Sequence, residues 1–227
     1  MCGITGFVDF RHNTPDAVLE AMTDALGHRG PDDRGHYVTD LSSCRVGLGH
    51  TRLSIIDLSE GGSQPRLSRD GRQAIVFNGE IYNYRELKGP LSRFGARFES
   101  TSDTEVILEA YRAHGALSVE SFIGMFAYAI LDEKRRKLLL VRDRAGVKPL
   151  FYAQMGGVFL FGSELKALMA HPVFERRIDS QSLHEYLRYG WVPGPRSIFE
   201  RTFKLLPGHF LELDLDTRAV VQTKYWD

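Results

Sequence analysis

Met1-Cys2-Gly3-Ile4-Thr5-Gly6-Phe7-Val8 opens the chain, and the rest is organised around it. Ile4, Phe7 and Val8, with Gly3 and Gly6 between them, predict a buried strand that fixes this terminus inside the fold, where most termini fray. A cysteine at position 2 becomes the N-terminal residue once the initiator methionine is removed. It then carries two reactive groups: a thiol, nucleophilic as its thiolate, and an α-amine whose pKa of about 7.7 to 8.0 suits a base near neutral pH. One residue thereby supplies nucleophile and base. Many chains simply begin Met-Cys, so the remaining sequence has to decide.

Composition narrows the field. The 227 residues, 43% of them hydrophobic, suffice for one large domain or two small ones. Lysine plus arginine and aspartate plus glutamate number 29 each, so no net field recruits nucleic acid or an anionic membrane, and small ligands are favoured. The cysteines, Cys2 and Cys44, are too few for a disulfide framework and form no CxxC pair, which fits a reducing, cytoplasmic setting. No basic-then-apolar leader is present and no apolar run approaches about 18 residues, so neither export nor membrane spanning is expected.

Thr14-Pro15 followed by Val18, Met22, Ala25, Leu26 and Gly27 predicts an amphipathic helix with Thr14 as N-cap and Pro15 in the first helical position. His28-Arg29-Gly30-Pro31-Asp32-Asp33 reads as a structural loop, since its histidine and acids match no metal-ligand spacing. Strand character runs from Tyr37 to Gly49, with Cys44 in its turn, packed or at the surface. In Gly49-His50-Thr51-Arg52-Leu53-Ser54-Ile55-Ile56-Asp57 a lone histidine and a lone arginine precede a buried-looking strand. Arg52 offers a planar fork suited to a carboxylate; pairing with an acid such as Asp57 is the plainer explanation. His50 reads as packed, because an amine-activated thiol needs no histidine. Gly61-Gly62-Ser63-Gln64-Pro65 is a loop without the context of a phosphate cradle.

Ala74-Ile75-Val76-Phe77 predicts a strand running into Asn78-Gly79-Glu80. Asn-Gly after a strand usually makes a hairpin turn, but Asn83 and Glu86 stand at capping-box spacing and predict a helix entry instead. Asn78 and Gly79 then suit an oxyanion site, an amide beside a backbone N–H that can be approached closely. Gly89-Pro90 should break or kink the helix before Leu91. Ser102-Asp103-Thr104-Glu105 opens another capped helix, ended by Gly115; Asp103 is explained by the helix dipole and is also available to a substrate ammonium. Strands follow at 125–131, 138–141, 150–153, 158–161 and 210–215, with a short helix from Glu164 and another over 179–188. Basic residues in 132–137 read as a solvated hairpin turn. Hairpins with inserted helices imply α+β layering.

Five segments in order, Met1-Cys2-Gly3-Ile4, His28-Arg29-Gly30-Pro31-Asp32, Gly49 to Asp57, Asn78-Gly79-Glu80-Ile81-Tyr82-Asn83 and Ser102-Asp103-Thr104-Glu105, together resemble the glutaminase domain of glutamine-dependent asparagine synthetases. Gly124-Met125-Phe126-Ala127, the stretch from Arg142 to Leu150 including Gly146-Val147-Lys148-Pro149, Ser163-Glu164-Leu165-Lys166 and Leu206-Pro207-Gly208-His209 agree, so the resemblance spans the chain, residues 1–227. It implies a four-layer αββα fold of the N-terminal nucleophile hydrolases and a class II glutamine amidotransferase that splits glutamine to glutamate and ammonia. Carried over residue by residue, Cys2 is nucleophile and, through its amine, base; Asn78 and Gly79 hold the oxyanion; Arg52 binds the substrate α-carboxylate and Asp103 its α-ammonium. Backbone groups of Leu53 and Ile55 and the Glu80 carboxylate complete the pocket.

The resemblance implies L-glutamine and an ATP-dependent synthetase domain, in cis or in trans, as partners. Nucleic acid and membrane are not expected, and a homodimer is left open. ATP and Mg belong to that synthetase domain, so no cofactor or metal is expected in this chain, which lacks a Ser-Gly-Gly-x-Asp-type loop. The Gly89-Pro90 pair departs from the uninterrupted helix the family leads one to expect. Two rivals stand beside this reading: a catalytically silent glutamine-sensing or interaction module, favoured where Met1 stays and acylates the Cys2 amine, and an amidase for another substrate, which would lack the Arg52 and Asp103 clamp.

Overall fold

Successive residues of the central strands go to different cores, and this alternation builds the molecule. The computed structural model describes residues 1–54 and 60–227, so Ile55 and Asp57 lie outside the described residues. In chain order the elements are β1 (Gly3–Asp9), α1 (Asp16–Asp24), β2 (Asp33–Leu41), β3 (Cys44–Arg52), β4 (Arg66–Leu67), β5 (Gln73–Ile81), α2 (Tyr84–Arg93), α3 (Asp103–His114) and β6 (Gly124–Asp132). Then come β7 (Lys137–Arg142), β8 (Phe151–Met155), β9 (Val158–Gly162), α4 (Leu165–Met169), α5 (Ser180–Tyr189), β10 (Thr202–Lys204), β11 (His209–Asp214) and β12 (Val220–Lys224).

The strands form two six-stranded sheets, ordered β10-β8-β9-β1-β3-β2 and β12-β11-β7-β6-β5-β4. Ile4 and Val8 of β1, Val46 and Leu48 of β3, Val76 of β5, Ala129 of β6 and Leu140 of β7 meet between the sheets. The residues in alternate register point outward. Ile75, Phe77, Tyr128, Ile130 and Leu139 pack under Leu91 of α2 and Val106, Ile107 and Tyr111 of α3. Phe7 and Leu160 pack under Leu19 and Met22 of α1 and Leu168 of α4. The layering is therefore αββα, as expected. Strands buried on both faces read as continuous apolar runs, and each such side chain contributes about 1.5 to 3 kcal/mol. No described helix is long and apolar enough to cross a membrane.

Several local expectations are corrected. The Thr14 hydroxyl does not cap α1: it donates to Asp9 Oδ2 at 2.8 Å, and Pro15 occupies the N-cap position. Asn83 caps α2 with no side-chain hydrogen bond, because its amide is spent on Ser121 O and Ile123 N–H. Helix α2 runs through Gly89 and Pro90 to Arg93 without breaking. Ser102 does cap α3, but Glu105 turns instead to the N–H groups of Glu99 and Ser100 and to Arg66. Cys44 begins β3, buried, rather than sitting in the turn. His50 and Arg52 lie within β3, while the strand expected after them falls on residues outside those described, and Asn78-Gly79-Glu80 lies inside β5, not beyond its end. Strands β10 and β12 were not anticipated.

Candidate active site

The site forms where β1 begins and where β3 and β5 end. Gly3 pairs with Thr51, so Cys2 falls beside Arg52 and Leu53. Its sulfur accepts the Leu53 N–H at 3.4 Å and faces Leu53 O at 3.6 Å. Burial pushes the Cys2 thiol up, opposed by the Leu53 contact, the terminal ammonium, Arg52 and Lys148. The loop after α1 buttresses this residue. Arg29 Nε donates to Cys2 O at 2.9 Å while its Nη1 pairs with Glu164 at 2.7 Å. Ser163, next to Glu164, ties Ile4 through both N–H and C=O.

The two sheets are joined here by His50, whose Nε2 lies 3.1 Å from Phe77 O. Burial drops the His50 pKa to about 4, so it is a neutral packing residue, and its ring is engaged away from the Cys2 sulfur. Beyond Phe77, β5 has β6 on one side and, among the described residues, no strand on the other. Phe126 N–H and O both face the β7 side, with Asp143 Oδ2 and Asp143 N–H respectively. Its register partner Gly79 is thus a non-bonded pair in the antiparallel ladder, and the main-chain groups of Gly79 face the open edge. The neighbouring outward N–H groups are occupied: Phe77 donates to Gln64 Oε1 at 2.6 Å and Ile81 to Asp103 Oδ2 at 2.9 Å. Gly79 N–H lies between them. A Cβ on Gly79 would stand 2.3 Å from Met125 O, which is why only glycine fits.

Cys2, Arg52, Leu53, Asn78, Gly79, Glu80 and Asp103 line one cleft of about 160 Å³, room for a small solute rather than a single water. Every expected site residue among those described is therefore brought together. Asn78 is 1% exposed, and its Nδ2 has no hydrogen-bond partner among the described residues. A buried amide donor left unmade costs about 1 to 3 kcal/mol, the signature of a group kept for a ligand. Arg52 is buried, with Nη1 3.5 Å from Ser63 Oγ. Asp103, at the start of α3, is pushed up to about 6 by burial, against the Ile81 N–H, with the Glu80 charge adding to the rise.

Sequence reasoning assigned no role to Lys148, which lines the same cleft, or to Arg29. Both stood in segments already quoted. A lysine wedged between Gly146 and Pro149 in an apolar stretch, and an arginine before Gly30, were the available signals. Among the described residues no cluster of histidine, cysteine or acids could hold a metal. A second cavity of about 300 Å³ is lined by Tyr152, Gln154, Phe159, Arg201, Phe203 and Val220, with no cysteine, serine, threonine, histidine or acid among its described lining.

Comparison with known proteins agrees with this geometry. The family model described as "Glutamine amidotransferase domain" matches residues 1–226. The chain is 39% identical to a putative glutamine-hydrolysing asparagine synthetase 2 of Methanocaldococcus jannaschii, covering 100% of this chain and 47% of that protein. It is 40% identical to the glutamine-hydrolysing asparagine synthetase 3 of Bacillus subtilis, covering 100% of this chain and 37% of that one. The chain thus spans less than half the length of these relatives. The glutamine phosphoribosylpyrophosphate amidotransferase of B. subtilis superposes with a TM-score of 0.72 at 20% identity, over 99% of this chain and 49% of that chain, and shares the fold. With a cysteine at its second position lining the cleft and αββα layers around it, the chain belongs to the class II glutamine amidotransferase domain family, related to the glutaminase domain of glutamine-hydrolysing asparagine synthetases.

Proposed function

We propose that this chain hydrolyses L-glutamine to L-glutamate and ammonia through a Cys2 thioester, and that the ammonia is consumed by an ATP-dependent amide synthetase of the asparagine synthetase type, in cis or in trans. The observation that carries the reading is the unpartnered, buried Asn78 amide beside the outward N–H of Gly79 in the cleft of Cys2.

Removal of Met1 frees the Cys2 α-amine, which takes the thiol proton as Sγ attacks the side-chain amide carbon of glutamine. Negative charge then develops on the former carbonyl oxygen. Asn78 Nδ2–H and Gly79 N–H donate to it from fixed positions in a partly dry cleft, where preorganised donors are most effective. Collapse of the intermediate expels ammonia, protonated by the α-ammonium. A water, deprotonated by the same amine, attacks the thioester; glutamate leaves and the thiol regains its proton.

Arg52 presents a two-pronged donor to the α-carboxylate and Asp103 a carboxylate to the α-ammonium, with Leu53 and Glu80 lining the same cleft. Recognition of both ends restricts the site to the free amino acid. ATP-dependent synthesis is assigned to the synthetase partner, which the likeness to glutamine-hydrolysing asparagine synthetases supports.

Intact mass after incubation with a glutamine-mimicking diazo ketone tests the reading. Loss of Met1 with a single adduct, absent in Cys2→Ala, is expected. Processed protein that refuses the adduct would overturn it and favour a silent glutamine-binding module.

A further inference from the structure

Gly79 stands on the open edge of β5 between two side-chain ties. On one side of it along the strand, Ile81 N–H donates to Asp103 Oδ2 at 2.9 Å. On the other, Phe77 N–H donates to Gln64 Oε1 at 2.6 Å, and the far end of the same amide, Nε2, donates to Thr104 Oγ1 at 3.4 Å. Both ties therefore run from β5 to the first turn of α3. Gln64 is itself a fixed point. It is 8% exposed, the preceding Ser63 donates its hydroxyl to Asp33 Oδ2 at 3.0 Å, and the Gln64 carbonyl packs so closely on β2 that a Cβ on Gly35 would stand 2.0 Å from it. Its amide oxygen and nitrogen each hold a protein partner, so the side chain works as a strut in the wall of the Cys2 cleft, which it lines.

We propose that Gln64 is a positioning residue of the glutamine site, setting the span between the oxyanion donors at Asn78 and Gly79 and the carboxylate of Asp103. This rests on the proposed roles of those residues in holding glutamine. A substrate gripped at both ends has its amide oxygen at β5 and its α-ammonium at the start of α3, so its length has to match the separation of strand and helix. The tie from Ile81 to Asp103 alone would leave the strand free to pivot about that point. The second tie, from Phe77 through Gln64 to Thr104, removes the pivot and fixes the separation. Reacting groups displaced by about 1 Å lose about 10²-fold in rate, so a strut that touches no reacting atom still governs turnover.

The test is a double-mutant cycle in kcat/KM for glutamate release. Gln64→Met, Thr104→Val and Thr104→Ser are each made in the Met1-processed parent and in Asp103→Asn, and each is checked by thermal unfolding. Asp103→Asn removes the grip on the ammonium but keeps an oxygen for the Ile81 N–H, so the span ceases to matter in that background. In the parent, Gln64→Met and Thr104→Val are expected to lower kcat/KM about tenfold or more, and Thr104→Ser, which keeps the hydroxyl, to hold it within about twofold. In Asp103→Asn the same two exchanges are expected to cost less than about threefold. Thr104→Val cuts the strut while leaving the Phe77 N–H paired, so it carries the test where Gln64→Met does not fold. Alkylation of Cys2 by iodoacetamide, which needs no amino-acid pocket, should keep its parent rate throughout. Equal fold-losses in both backgrounds would overturn the proposal, because a general loosening does not depend on the ammonium grip; so would a Thr104→Val protein with parent activity. A parent that binds glutamine without hydrolysing it would remove the proposed function, and the same cycle read in Kd would decide this inference. One that does not bind glutamine would overturn both.

Discussion

Replacing Asp103 by asparagine removes a charge that the fold accommodates at a cost. The residue is 4% exposed, and its carboxyl titrates at about 6 instead of its ordinary 3.8. For an acid, a folded-state pKa above the unfolded one means that the folded state holds more protons between about pH 4 and pH 6. Stability therefore falls as pH rises through that window and stays at the lower level above it. At about 1.4 kcal/mol per pKa unit, the rise is worth about 3 kcal/mol at pH 8. Asparagine keeps the shape and an oxygen for the Ile81 N–H. Asp103→Asn is thus expected to be about 1 to 3 kcal/mol more stable than the parent at pH 8, the gap closing by about pH 4. Urea unfolding of both proteins at several pH values reads this directly. A variant less stable than the parent at pH 8, or a gap independent of pH, would refute the reasoning. The same substitution should weaken glutamine binding about tenfold or more, by loss of a charge-assisted hydrogen bond. In the parent, binding should weaken as pH falls through about 6, where Asp103 loses its charge; in the variant that pH dependence should be absent.

Asn78→Ala should lower kcat about 10²- to 10³-fold with KM within a few-fold, measured by glutamate release; a change in KM alone would mean that the amide serves ground-state binding. Arg52→Lys should raise KM for glutamine about tenfold or more with a smaller effect on kcat, since a point charge does not reproduce the fork; an unchanged KM would remove the carboxylate clamp. Asp9 is 1% exposed and accepts the N–H groups of Arg11, Asn13 and Thr14 and the Thr14 hydroxyl. Asp9→Ala should therefore cost about 3 kcal/mol by urea unfolding, and a loss below about 1 would show that water replaces the carboxylate.

The layering was legible because strands buried on both faces announce themselves: β6 and β7 carry unbroken apolar runs bounded by polar turns, and β1 is interrupted only by Thr5. The cleft was legible because its residues sit in short, distinctive segments. What escaped was the destination of polar side chains. Thr14, Asn83 and Glu105 stand at capping positions, yet each meets a partner brought from elsewhere by the tertiary fold, and local spacing carries no trace of that competition. Asn-Gly at 78–79 looked like punctuation after a strand. It is instead the part of β5 that outruns its neighbour β4, which pairs only at Ala74 and Ile75. Strands β10 and β12 are sheet edges, short or exposed, with little apolar patterning to find. Arg29 acts through a long side chain whose targets, Cys2 O and Glu164, are far off in sequence.

The outward N–H of Gly79 belongs to no side chain, and this divides the heritable fate of the site. Any exchange at position 78 deletes or alters the amide, so that half is open to loss by a single mutation. At position 79 only proline would erase the donor. Every other exchange retains the N–H and acts by pushing β5 away from Met125, so it would be felt first in the yield of folded protein. On the proposed mechanism, catalysis is lost at Asn78 by one exchange that leaves the fold standing, whereas at Gly79 the molecule and the activity are lost together.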